Sequence, residues 1–243
     1  KFGLGKPVLD GLVEERSGVV PNTSWKKRNL GKNWYLGETL HAGIGQGYWQ
    51  SSPMQLCLMM AQIANGGYEI KPRLIFEDKE KKFETLNEFI EIKKEFSGDT
   101  AYFYEYLNKF GYKSLYDNPE NIKFVQDALY GATNEPGGTS FGSRLTKKDY
   151  IFAGKTGTSQ VKRFTERQRE LEIKNEDLPY KDRDHALFVA FAPYKEPRYA
   201  ISVLVEHGGS GSKSAAPIAK KVLKKVLERH PSRDAIIKSG ELA

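Results

Sequence analysis

Residues 185–194, HALFVAFAPY, are apolar at both alternating sets of positions. Successive side chains of a strand point to opposite faces, so such a segment stays dry only when protein covers both sides of its sheet. A sheet backed by solvent is thereby excluded. RYAISVLVEHG follows at 198–208, and Pro193-Tyr194-Lys195-Glu196-Pro197 between the two makes a short antiparallel hairpin. A third strand is expected in YIFAGKTGTSQV, 150–161. Beyond GGSGSKSAA, read as flexible, PIAKKVLKKVLERH puts Ile218, Val222, Leu223, Val226 and Leu227 on one helical stripe and closes at Pro231. Strand, strand, helix predicts an antiparallel sheet flanked by helices, an α/β fold of the α+β type.

Upstream, Ser52 suits a helix cap and Pro53 a first turn, MQLCLMMAQIAN follows, and Asn65-Gly66-Gly67 stops it. Apolar residues cover most of that helix, so it is expected to lie between other elements. A further helix opens at Asn118-Pro119-Glu120, runs through NIKFVQDALYGAT, and ends before Asn134-Glu135-Pro136-Gly137-Gly138-Thr139. Residues 1–50, rich in Gly and isolated aromatics, read as loop with short strands. Residues 77–115 have the spacing of a peripheral helical insertion, and 163–184 that of a charged, solvated loop. All lie in one expected domain, 1–243, with no internal repeat.

The net charge of +7 arises from lysines interleaved with glutamates, and no nucleic-acid recognition module accompanies it. Nucleic acid is therefore not an expected partner. Cys57, the single cysteine, sits in the apolar run LCLMMA and reads as a small core residue. The first residues, KFGLGKP, contain no Met, no basic leader and no apolar run. The chain is accordingly expected to begin mid-protein or after processing, with any membrane anchor outside it.

The chemistry concentrates in AGKTGTSQV, 153–161. A phosphate-binding loop requires Gly, four intervening residues, then Gly-Lys-Ser/Thr, and Asp149 occupies the position of the first Gly. GGSGSKS fails the same test, because Ser212 precedes Lys213. As a strand, Lys155-Thr156-Gly157-Thr158 places Thr156 and Thr158 on one face with no side chain between them at Gly157. An extended peptide can then approach at Gly157, the two hydroxyls can hold a carboxylate, and the Thr158 N–H can serve an oxyanion. Lys155 adds a positive field and a proton-handling ammonium.

DGLVEERSGVVPNTSWKK, GIGQGYWQSSPMQL followed by ANGG, ATNEPGGTS, AGKTGTSQV and HALFVAFAPYKEPRYAISVLVEHG, in that order, resemble the penicillin-binding transpeptidases. Among them the match is to the elongation-type, class B penicillin-binding protein 2 group, over nearly the whole chain apart from 77–115 and 163–184. The resemblance implies a penicillin-binding transpeptidase fold of the serine β-lactamase type, incomplete here. It also implies peptidoglycan D,D-transpeptidation: a serine attacks a D-alanyl-D-alanine carbonyl, and an amine resolves the acyl-enzyme. Residue by residue, it makes Lys155 and the Thr158 amide catalytic, and Thr156, Gly157 and Thr158 substrate-binding. Gln46 falls in a block of structural role. No cofactor and no metal are implied. The implied partners are stem peptides, β-lactams, the N-terminal half of the same protein, the rod-system polymerase and its scaffold MreC. The implied location is the periplasmic face of the bacterial inner membrane.

Two of the family's three signatures do not appear in their required context. Ser-x-x-Lys occurs at Ser24–Lys27, in a stretch read as a proline-flanked loop, at Ser159–Lys162 after the KTGT strand, and at Ser210–Lys213 in a Gly-rich run. The nucleophile must instead start a buried helix, so that serine and lysine share a face. Ser-x-Asn is absent, and Tyr106-Leu107-Asn108 and Tyr116-Asp117-Asn118 imitate it only by accident of sequence. The expectation is a C-terminal portion that cannot acylate alone. The alternatives are a non-catalytic β-lactam sensor or scaffold of the same fold, and a basic surface that binds an anionic polymer.

Overall fold

All three expected strands form. The computed structural model describes residues 1–9, 14–72, 74, 113–162 and 170–229. Within them β1 (Ala153–Ser159), β2 (His185–Ala192) and β3 (Tyr199–Val205) pair antiparallel in the order β1-β2-β3. Five helices accompany them among the described residues: α1 (Thr23–Leu30), α2 (Leu36–Gly43), α3 (Pro53–Ala64), α4 (Pro119–Asn134) and α5 (Ala216–Arg229). The chain divides into two compact units, Lys1–Leu58 with Gly67–Pro119, and Met59–Gly66 with Glu120–Ala243.

The second unit is built around β2. On one face Ala186, Phe188, Ala190 and Ala192 join Phe152, Ala216, Ala219, Leu223 and Leu227 in one buried cluster, where Phe152 and Phe188 meet edge to face at 6.1 Å. On the other, Phe191 and Ala153 pack with Met60 of α3 and Leu129 of α4, and Val189 borders them. The Ala186–Ala192 set of β2 is thus covered along its length, whereas on the other face Phe191 is buried and Leu187 and Val189 are half-buried. The apolar pattern is met in full on one side and toward the Ala192 end on the other. The α5 stripe differs from the expected one. Ile218 and Val222 are each 44% exposed, while Ala215, Ala216 and Ala219 lie at the contact. Small side chains there let the helix approach the sheet. GGSGSKSAA is not a flexible linker either, because Gly211–Ala215 closes a π-turn with both end residues buried. A Cβ on Gly211 would strike the Leu187 carbonyl and lie 2.7 Å from that of Gly157, so only glycine fits against the β1–β2 backbone.

The β2–β3 hairpin is tied to α4. The Tyr194 hydroxyl donates to Asp127, which also pairs with Lys123 one turn earlier, and the Tyr130 and Tyr194 rings lie 4.7 Å apart. The Lys123 hydrogen bond first, and that of Tyr194 second, hold the Asp127 carboxyl below the usual aspartate range.

In the first unit the expectation of loop with short strands is overturned. Within residues 1–50 two helices form, and the one extended pairing among the described residues is a bridge between Val19 and Gln50. Pro21-Asn22 forms a helix entry, since the Asn22 side chain accepts from the Trp25 N–H at 2.8 Å. The polar α1 offers no apolar periodicity to betray it. Its Lys26 is 2% exposed, ion-paired with Glu38 of α2 and set 4.4 Å above the Tyr35 ring. Ser52 caps α3 through the Gln55 N–H at 3.1 Å, and the fully buried Gln55 amide donates to the carbonyls of Lys6 and Ser17. Cys57 is half-buried.

The expected insertion at 77–115 lies outside the described residues apart from 113–115, as does 163–169 of the charged segment. Residues 170–184 are irregular, with single 3₁₀ turns at Asn175–Asp177 and Tyr180–Asp182.

Replacing the fully buried Phe188 by Ala should cost about 3–5 kcal/mol in urea unfolding. A second prediction concerns acid. Asp127 binds its proton later in the folded state than in the unfolded chain, so its contribution is complete above the ordinary aspartate pKa of about 3.9 and is lost as pH falls through the folded value. Tyr194→Phe should flatten this acid limb of a thermal-midpoint profile, and an unaltered limb would refute the anchor.

Candidate active site

The KTGT segment lies on β1, at the edge of the described sheet. Lys155 is opposite Val189, Thr156 opposite Phe188, Gly157 opposite Leu187 and Thr158 opposite Ala186. In an antiparallel strand the N–H and C=O of one residue point to the same side, and alternate residues point to opposite sides. Gly154 fixes the phase. Its N–H donates to the Thr133 hydroxyl and its C=O accepts from it, both at 3.1 Å, while the Asn134 side chain donates to the Phe152 carbonyl at 2.9 Å. Thr133 and Asn134 belong to α4, so Phe152 and Gly154 face away from β2. By alternation Thr156 and Thr158 also turn their backbone groups to the open edge, whereas Lys155 and Gly157 turn theirs to β2.

Glycine at 154 is obligatory, because a Cβ there would lie 2.6 Å from the Val189 carbonyl and 2.8 Å from the Phe188 ring. At 157 a Cβ would meet only Leu187 within 4 Å, at 3.2 Å from its Cβ.

Lys155 and Thr158 are exposed, and Thr156 and Gly157 are half-buried. The Lys155 ammonium donates to the Thr156 carbonyl at 3.1 Å, the Thr156 hydroxyl at 3.0 Å and the Thr139 hydroxyl at 3.4 Å. The Thr156 hydroxyl donates to Thr139 at 3.1 Å. The structure therefore gathers Lys155, Thr156 and Thr139 at one point of the edge, with the Thr158 amide further along it. Such an edge can take an extended peptide by backbone pairing, with cationic and hydroxyl groups at one end and an N–H donor at the other.

Sequence reasoning missed Thr133, Asn134 and Thr139. Their only signal was the ATNEPGGTS block, and nothing in its spacing says that this helix end meets β1. Gln46 lies in the turn that closes α2, where its N–H donates to the His41 carbonyl at 2.9 Å between two glycines of positive φ.

The Ser-x-x-Lys sites divide in the same way. Ser24–Lys27 is not in a loop, since Ser24 is the second residue of α1. Both residues are nevertheless exposed, and the Lys27 ammonium reaches Asn33 at 3.5 Å. Lys162 pairs with Asp182, and Lys213 with Glu176. Tyr116 stacks edge-on with Tyr68, and Tyr106–Asn108 lie outside the described residues. No cluster of three or more His, Cys, Asp or Glu able to hold a metal occurs among the described residues.

The penicillin binding protein transpeptidase domain model matches residues 1–224. Peptidoglycan D,D-transpeptidase MrdA of Salmonella typhimurium is 36% identical over 225 residues, which are 92% of this chain and 32% of that protein. The chain thus spans about a third of the length of the curated relatives it matches. Among solved structures, the complex between penicillin-binding protein PBP2 and MreC from Helicobacter pylori superposes with a TM-score of 0.67 at 28% identity, over 93% of this chain and 34% of that one. Pseudomonas aeruginosa PBP2 in complex with WCK 5153 gives 0.65 at 30% identity, over 93% and 42%.

Thr133 is fully buried and serves Gly154 twice. Thr133→Val should cost about 1–3 kcal/mol, the penalty of stranding buried polar groups, whereas Thr133→Ser should lose far less. Equal chemical-denaturation curves for the two variants would remove the clamp from this account.

Proposed function

This chain belongs to the penicillin-binding protein transpeptidase family, and from that premise we propose that its β1 edge is one wall of the acyl-transfer cleft of a peptidoglycan D,D-transpeptidase. The observation that carries this reading is the outward phase of Thr156 and Thr158, with Lys155 poised at the same edge. A stem peptide ending in D-alanyl-D-alanine lies along β1, its terminal carboxylate toward the threonine hydroxyls. A serine oxygen then bonds to the carbonyl carbon of the penultimate residue, and the carbonyl oxygen gathers negative charge that the Thr158 N–H stabilises. Collapse breaks the peptide bond, the departing D-alanine amine takes the proton, and an amine of a second peptide resolves the ester. Lys155 supplies positive field and supports proton transfer.

None of the three Ser-x-x-Lys sites offers that serine, since each of their lysines engages a different partner. The nucleophile therefore comes from an N-terminal half of the same protein, and β-lactams acylate the same serine. The rod-system polymerase and MreC are the assembly partners this reading predicts, at the periplasmic face of the inner membrane. Similarity to the Helicobacter protein, whose solved structure is a complex with MreC, supports the second of these. No helix of the described residues is long and apolar enough to cross a membrane.

The test uses the full-length protein and a fluorescent penicillin. Lys155→Ala should slow covalent labelling by about 10²–10³-fold, the usual range for losing an acid–base or charge-stabilising group, with the thermal midpoint unchanged because Lys155 is exposed. Residues 1–243 alone should not label. An unchanged labelling rate for Lys155→Ala would remove the lysine from the mechanism, and labelling without turnover of donor peptide would favour a sensor.

A further inference from the structure

We infer that Thr139 is a positioning residue for this site, holding the Lys155 ammonium and the Thr156 hydroxyl in register with the substrate edge. The inference rests on the transpeptidase reading and adds a residue to it. Three observations converge on Thr139. The turn carrying it is rigid, because Gly138 lies so close to the end of α4 that a Cβ would sit 2.6 Å from the carbonyls of both Gly131 and Ala132. That turn is also pinned on both sides of Thr139: the Gly138 N–H donates to the Glu135 carbonyl at 3.0 Å, and the Ser140 N–H to the Ala132 carbonyl at 3.0 Å. Finally, its hydroxyl oxygen accepts from both Lys155 and Thr156.

The donor count gives these contacts their meaning. An ammonium has three hydrogens, and Lys155 directs them to the Thr156 carbonyl, the Thr156 hydroxyl and Thr139. The Thr156 hydroxyl has one hydrogen and gives it to Thr139. Thr139 thus receives two hydrogen bonds and retains its own hydrogen, on an exposed side chain at the open edge. A long, exposed lysine side chain carries large rotamer entropy, and an oxygen fixed by a glycine-tight turn reduces the range it must search.

Full-length protein and a fluorescent penicillin again provide the test, with saturation kinetics to separate the binding constant from the acylation rate. Thr139→Val should lower the overall acylation constant about tenfold, as expected for losing a hydrogen bond to a charged group, with the thermal midpoint unchanged. Thr139→Ser should restore it to within about twofold. Combining Thr139→Val with Thr156→Val should cost less than the product of the two single effects, because both act on one cluster. Normal acylation by Thr139→Val, failure of serine to rescue, or strictly multiplicative effects would each overturn the inference while leaving the transpeptidase reading standing. An unlabelled wild-type protein would instead overturn that reading, and this inference with it.

Discussion

An edge strand exposes a row of backbone donors and acceptors that must be satisfied or used. Here the Thr133 hydroxyl takes the first outward pair, at Gly154, and the Asn134 amide takes the Phe152 carbonyl. This contact of a helix end with a strand edge sets the phase of everything downstream. It decides that Thr156 and Thr158, rather than Lys155 and Gly157, present their backbone to a ligand. It also terminates the use of α4 as an edge cover at the point where the chemistry begins, and the Gly137-Gly138 turn then carries Thr139 back to the strand. The same few residues close the inner half of the edge and shape its outer half.

Rigidity behind that edge comes from two apolar layers and from glycines that have no substitute. Phe188 and Phe152 fill the α5 side, and Phe191 meets Met60 and Leu129 on the other. Gly154 and Gly211 let neighbouring backbone approach closer than any side chain would permit. The result is a strand fixed from three directions and open on the fourth, the condition for a site that must hold an extended substrate without rearranging. Only the open side carries the cation and the hydroxyls. A low-cost surface lysine thereby becomes a directed one, through hydrogen bonds rather than burial.

The first unit follows another logic. Its interior holds Lys26 in an ion pair with Glu38, and a fully buried Gln55 bonded to two distant carbonyls. The Lys26 hydrogen bond, ahead of the Tyr35 N–H, holds the Glu38 carboxyl below its usual range. Polar interiors of this kind cannot be found by apolar periodicity. Residues 23–30 and 36–43 accordingly read as loop, although capping by Asn22 and Glu38 was visible in the residue types. Ser24–Lys27 shows the converse error, since it does begin a helix while lacking the burial that a nucleophile requires.

What the sequence alone determined is whatever depends on local period and on motif chemistry. The two-sided apolar pattern of HALFVAFAPY dictated a covered central strand, Pro and Gly marked the ends of α3 and α4, and KTGT in its ordered company of blocks named the family. Tertiary structure decided which edge of β1 stays open, which turn meets it, and where α5 rests its alanines rather than Ile218 and Val222. These are contacts between residues far apart in the chain, and no spacing rule encodes them. A hydroxyl such as Thr139 has the same chemistry in any turn, and only the fold brings it to a lysine 16 positions away.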